Sequence, residues 1–141
     1  ALSGVPVRYS LAMTGALSHS GEIMAVGEVT RKIEGFYEVC VRRGLSGKHG
    51  VIIPADNVDN LMLNKKVVQA CRNGLFSIYS VEHINQALEI LTGIKAGRRL
   101  KDGRFSRHSI YSLVDEKLRH FAYLPEKKAR RQKRRKNASA E

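Results

Sequence analysis

The sequence predicts an α+β domain of short strands and packed helices, and three observations carry that prediction. From Val29 onward the apolar residues fall at Val29, Ile33, Phe36, Tyr37, Cys40 and Val41, the spacing of a helix face laid on a core. Arg8–Met13 alternates, with Tyr9, Leu11 and Met13 on one side and Arg8, Ser10 and Ala12 on the other, the period of a half-buried strand. Val51–Ile53 is a continuous β-branched run stopped by Pro54, as in a strand covered on both faces. A helix with one apolar face needs a surface to cover, and the strands provide it.

In chain order, ALSG reads as the cut end of a helix closed by Gly4 before a Val-Pro-Val stop. Ser18–Gly21 is polar and ends in glycine, so it turns the first strand back into Glu22–Val26 and predicts a hairpin across Arg8–Val26. Gly27 leads into a helix over Val29–Arg43, with Arg42 and Arg43 suited to the negative end of its dipole and Gly44 as its stop. A right-handed helical crossover then reaches the strand Val51–Ile53. Asp56–Leu63 predicts a capped turn or short helix, and Asn64 caps a helix over Lys65–Asn73 with Val67, Val68 and Cys71 inward. Leu75–Tyr79 is the next strand. Ser80 then caps Val81–Leu91, whose Val81, Ile84, Ala87, Leu88 and Leu91 share a face, and Gly93 ends it.

Past Gly93 the composition changes. Lys95–Arg107 holds six basic residues and two glycines and reads as an exposed connector, whereas Ile110, Leu113, Val114, Leu118 and Phe121 predict a helix over Ser109–Leu124. Glu126–Glu141 has eight Lys or Arg against two Glu, the composition of a solvated, disordered basic tail. The expected organisation is a domain over 1–93, a connector with an extra helix over 94–125, and the tail over 126–141.

With 43% apolar and 27% charged residues in 141, the chain is expected to form one small core rather than a disordered or membrane protein. No apolar run approaches the roughly 18 residues of a spanning helix, and Ala1–Ser10 lacks the charged and apolar regions of a leader, so the expected address is the cytoplasm. Cys40 and Cys71 lie on separate helix faces and the five histidines are scattered, which favours reduced core thiols and no metal site. The net charge of +12 permits contact with nucleic acid or another polyanion through the tail. Aromatic interleaving and zinc-finger spacing are both missing. A small basic nucleic-acid-binding protein is accordingly the alternative function.

Several motifs in order carry a sharper reading. AMTGALSHSGEIMAVGEVTRKIEGFYEVC resembles the segment of Lon-type ATP-dependent proteases in which a Met-Thr-Gly strand and a Gly-Glu-Ile/Val hairpin lead to Val-Gly-Gly-Val-x-x-Lys-Ile-Glu. GVIIPADNVDNLML resembles that family's strand, Ile-Pro stop and acidic/Asn turn, and FSIYSVEHINQALEILTG resembles its last strand and helix. The likeness covers residues 1–93, and its Val-x-x-Lys-Ile-Glu form is closer to the archaeal B-type and Lon-related bacterial homologues than to the main bacterial enzyme.

The resemblance implies a Lon protease-domain-like fold and a serine endopeptidase in which Lys32 is the lysine of a Ser-Lys dyad and the Thr14 hydroxyl helps hold it. Without the likeness, Lys32 is one cation among 25 Lys and Arg and Thr14 a β-branched strand residue. The chemistry explains why a lysine is needed. A serine hydroxyl is a poor nucleophile until a base takes its proton, and an amine serves when burial lowers its pKa from about 10.4 towards 7–8. The first turn of a helix, at the positive dipole end, also disfavours an ammonium.

The family's serine stands on a Gly/Asp-rich motif further upstream than the 31 residues before Lys32 allow, and Ser3, Ser10, Ser18 and Ser20 stand in no such motif. The chain is thus expected to be the C-terminal part of a protease domain, without the serine and inactive alone. The implied partners are the serine-bearing half, protein substrates that are unfolded or regulatory, and an upstream AAA+ ATPase module using ATP and Mg, assembled as a homo-hexamer. No cofactor is expected in this chain, which lacks a Gly-x-x-x-x-Gly-Lys-Ser/Thr phosphate loop. Glu28 replaces the family's second glycine, and a carboxylate beside Lys32 would hold it as an ammonium. That departure supports a second alternative, a degenerate, non-catalytic assembly module.

Overall fold

The computed structural model describes residues 1–123. Two compact units are present, Val7–Gly93 and a second made of Ala1–Pro6 with the described residues from Ile94 onward. Within Val7–Gly93 the order is β1 (Leu11–Met13), β2 (Ala16–Leu17), β3 (Ile23–Met24), α1 (Val29–Arg43), β4 (His49–Pro54), a 3-10 helix (Ala55–Asn60), α2 (Lys65–Arg72), β5 (Phe76–Val81) and α3 (Ile84–Thr92). The fold is α+β. β1, β4 and β5 form a three-stranded sheet in that order, and β2 pairs with β3 in a separate two-stranded ribbon. Both ladders of the larger sheet are parallel, with Ala12 opposite Val51 and Val51 opposite Ile78. Parallel neighbours cannot be joined by a tight turn. The ribbon and α1 lie between β1 and β4 in the chain, and the 3-10 helix with α2 lies between β4 and β5.

β4 is the centre, and Gly50 through Pro54 are all buried. Successive strand residues point to opposite faces. Val51 and Ile53 join Val29, Ile33, Cys40, Val67, Ala70 and Phe76 in one core, while Ile52 joins Ile23, Val81 and Ala87 in another. The first core is where α1 lays its face, with Ile33 fully buried. There Tyr37 meets the Phe76 ring edge-on at 5.4 Å and Phe36 meets it at 6.4 Å. Each buried Ile, Val or Phe contributes roughly 1.5–3 kcal/mol, so α1 is held chiefly by this face. Its C-terminus closes at Gly44, whose N–H donates to the Val41 carbonyl. α2 starts at Asn64, whose side chain accepts the Val67 N–H. The Asn64 N–H in turn donates to Glu34 of α1 at 2.8 Å.

Several expectations are corrected. The strand beginning at Arg8 does not fold back on Glu22–Val26. Its ordered part, β1, pairs in parallel with β4, and the hairpin is confined to β2 and β3. Gly15 stands where the chain leaves that pairing, and a Cβ there would be 2.8 Å from Ile23 Cγ2 and 3.4 Å from Pro54 Cγ. The chain leaves the sheet at this close approach, and the ribbon packs over the end of β4. Tyr9 is 96% exposed rather than on a strand face, because the Leu11 N–H donates to the Arg8 carbonyl and closes a turn there. Val81 belongs to β5 and is buried, so α3 starts later than Ser80 suggests. His83 is its cap, accepting the Asn85 N–H, while Gln86 Oε1 accepts the His83 N–H. Val41 is exposed, whereas Ala70 takes an inward place on α2. The first residues form a single turn closed by Gly4 N–H to the Ala1 carbonyl.

In the second unit, residues 98–106 form a turned-back segment with a bridge between Arg99 and Phe105. Residues 110–123 are helical. Ser109 and Ser112 cap that helix reciprocally, each backbone N–H donating to the other hydroxyl at 3.1 Å. Ile110 is buried, Leu113 and Val114 are half-buried, and Leu118 and Phe121 are exposed. The expected basic tail over 126–141 and Leu124 lie outside the described residues.

Both cysteines are free. Burial pushes the Cys40 thiol up, against the pull of Arg43, and also pushes the Cys71 thiol up. A raised thiol pKa leaves less thiolate at a given pH. Alkylation by iodoacetamide at pH 8 is therefore expected to be slower in the native protein than in urea, and equal rates would contradict the burial described.

The second fold prediction concerns Gly50, where a Cβ would stand 2.5 Å from the Ser77 carbonyl oxygen. Gly50→Ala is expected to reduce stability by about 1–3 kcal/mol, read as a lower urea midpoint. An unchanged midpoint would refute the close packing of β4 on β5.

Candidate active site

Lys32 and Thr14 come together at the end of the sheet. Thr14 follows β1 directly, and its N–H donates to the Ile52 carbonyl of β4 at 3.0 Å. Lys32 lies in the first turn of α1, where its N–H closes onto the Glu28 carbonyl at 3.1 Å. Between these two backbone anchors, Lys32 Nζ donates to Thr14 Oγ1 at 3.3 Å. Lys32 is exposed and Thr14 half-buried. Ile33, the next residue, is buried in the core, so the lysine stands at the rim of the packed face and not within it.

The carboxylate that looked dangerous in the sequence has another partner. Glu28 Oε2 pairs with Arg31 Nε at 3.2 Å, both side chains being largely exposed. Among the described residues Lys32 makes no ion pair. The backbone of Glu28 is what departs from the ordinary, with φ 60° and ψ 28°. An L-residue in this left-handed region costs roughly 1–2 kcal/mol, which explains why glycine suits the position.

Sequence reasoning missed a third residue. Asn57, on the 3-10 helix after β4, accepts the Val26 N–H on Oδ1 and donates from Nδ2 to the Val26 carbonyl, both at 3.1 Å. Val26 is the last residue before the Gly27–Glu28 turn that starts α1. The one visible signal was the acidic/Asn character of the turn after Pro54, which marks a turn and does not name its partner.

No serine hydroxyl reaches Lys32 among the described residues. Ser20 donates to Glu22 at 3.0 Å and lies 2.8 Å from the Ser18 hydroxyl, while Ser3 accepts the Val5 N–H. The described residues contain no group of three or more His, Cys, Asp or Glu able to hold a metal ion. What the site offers chemically is one oriented amine at a helix start, with a hydroxyl acceptor and an open approach.

Comparison with known proteins places these residues in context. The family described as Lon protease (S16) C-terminal proteolytic domain matches residues 1–93. Over 118 residues the chain is 41% identical to a Lon protease homolog of Haemophilus influenzae, covering 84% of this chain and 20% of that protein. It is 43% identical over 94 residues to a Lon protease homolog of Escherichia coli, covering 67% and 16%. An archaeal Lon protease of Archaeoglobus fulgidus is 40% identical over 89 residues, covering 63% and 12%. The chain thus spans a fifth or less of the length of these relatives.

The strained lead-in to α1 yields a test. Glu28→Gly removes the left-handed cost and an exposed ion pair worth at most about 1 kcal/mol, and it adds the backbone freedom of glycine, about 0.5–1 kcal/mol. The expected outcome in urea denaturation is stability within about 1 kcal/mol of the unsubstituted protein, the three contributions nearly cancelling. Glu28→Val, β-branched and equally left-handed, is expected to be less stable. Glycine less stable than valine would contradict the conformation.

Proposed function

The chain belongs to the Lon protease C-terminal proteolytic domain family, and on that premise we propose that its parent is an ATP-dependent serine endopeptidase whose Ser-Lys dyad draws its lysine from Lys32. The observation that carries the reading is the 3.3 Å bond from Lys32 Nζ to Thr14 Oγ1. With one N–H committed to Thr14, the neutral amine has its lone pair directed by geometry rather than left to rotate. It takes the proton of a serine hydroxyl as that oxygen attacks the peptide carbonyl carbon. The resulting ammonium returns the proton to the leaving amine, and the free amine then activates the water that releases the acyl group. A positioned general base of this kind contributes about 10²–10⁴-fold.

In this proposal the serine comes from the other half of the protease domain, outside residues 1–141. That half, in covering the exposed Lys32, would remove water from the amine and favour its neutral form. ATP and Mg enter only through an ATPase module of the parent, which unfolds protein substrates and delivers them to a homo-hexameric chamber. A cytoplasmic location belongs to the same reading, and no helix among the described residues is long and apolar enough to cross a membrane.

The test uses the parent chain. Lys32→Ala is expected to lower kcat for a fluorogenic peptide about 10²–10⁴-fold with ATP hydrolysis within twofold, and Thr14→Val to lower it about tenfold. A fluorophosphonate is expected to label a serine outside residues 1–141. Full peptidase activity in Lys32→Ala would overturn the reading.

A further inference from the structure

We propose that Asn57 is a positioning residue for the Lys32 amine, acting as a side-chain clamp on the backbone of Val26, an inference that rests on the dyad reading above. The geometry has three parts. First, the two members of the amine–hydroxyl pair are fixed from one strand. Thr14 is tied to β4 by its N–H on the Ile52 carbonyl. The α1 lead-in is tied to the continuation of β4 by Asn57, only three residues beyond Pro54. The Lys32–Thr14 distance is therefore set by how rigidly two separate segments hang from β4.

Second, the clamp has the form that the task needs. The Asn57 amide meets Val26 with an acceptor on its N–H and a donor on its carbonyl, both at 3.1 Å, as a neighbouring strand would. Two bonds to one residue fix orientation as well as distance, where a single bond would leave a pivot. An aspartate at 57 would keep the acceptor for the N–H and face the carbonyl with a like partial charge.

Third, the segment just after the clamp is where the chain is least able to hold itself. Gly27 carries no side chain, and Glu28 sits in the left-handed region. Neither is buried. Beyond them the Ile33 face secures the body of α1 in the core, but Lys32 lies off that face in the first turn, where the start of the helix depends on its approach. Val26 and Asn57 also line an open groove of about 490 Å³ with Val29, Arg31 and Leu61. Water in this groove can satisfy the Val26 N–H and carbonyl when the clamp is removed. Loss of Asn57 is thus a loss of placement and not the burial of unpaired polar groups, and the domain is expected to fold without it.

A displacement of about 1 Å at a reacting group costs on the order of 10²-fold in rate. In the parent chain, Asn57→Ala is expected to lower peptidase kcat roughly 10- to 100-fold, with KM and ATPase within about twofold. Asn57→Asp, retaining one of the two bonds, is expected to lose less. Should Asn57→Ala fail to fold, Asn57→Asp carries the test through the same kcat, KM and ATPase readings. Unchanged kcat, or equal losses in peptidase and ATPase, overturns the clamp. Lys32→Ala measured alongside separates the two ideas: a fully active Lys32→Ala parent refutes the dyad itself, whereas an inactive one beside normal Asn57 variants refutes only the positioning role.

Discussion

A parallel strand covered on both faces is the constraint on which the unit Val7–Gly93 depends. β4 has β1 on one side and β5 on the other. Its residues alternate between a core with α1 and α2 and a core with β3 and α3. A one-residue slip would exchange Val51 and Ile53 with Ile52 between those two cores and disturb two ladders at once. At Gly50 even one added carbon meets the neighbouring backbone. Register is consequently tightly specified here, and the segments that carry Thr14, the ribbon and the start of α1 all take their positions from this strand.

The bond between Lys32 and Thr14 cannot hold itself in place. A net hydrogen bond contributes about 0.5–1.5 kcal/mol, while ordering a lysine side chain costs up to about 2 kcal/mol. An exposed amine would wander unless the backbone beneath both partners were already fixed. That fixing comes from the buried face of α1 around Ile33, from the Thr14 bond to Ile52, and from the Asn57 pairing with Val26. Packing sets where the site is, and a few directional polar contacts set which way it points.

Backbone strain is concentrated at the same place. Glu28 is the one non-glycine residue of Val7–Gly93 with positive φ among the described residues, and it immediately precedes the helix bearing Lys32. Residues held in such conformations persist when their surroundings over-determine them, and they gather at functional sites. The carboxylate of the same residue pairs with Arg31 at 3.2 Å.

Elements whose information is local were legible in the order of residues alone. The apolar spacing from Val29 and the Gly44 stop define α1 as Val29–Arg43, and the β-branched run before Pro54 marks β4, because neighbours in the chain set both periods. Thr14 and Lys32 were legible through a motif, together with the family to which they belong. The three-dimensional fold decided what β1 pairs with, because the register of Leu11 on Gly50 through Met13 on Ile52 joins segments distant in the chain. It alone decided that Val81 ends a strand rather than opening a helix, since an apolar residue at that spacing serves either and the His83 cap settles the boundary. It also decided that Glu28 faces Arg31 and that Asn57, 31 residues from Val26, holds the lead-in to α1. Periodicity is written in adjacent residues, whereas a hydrogen bond between distant ones exists only after burial of the intervening chain has brought the donor to its acceptor.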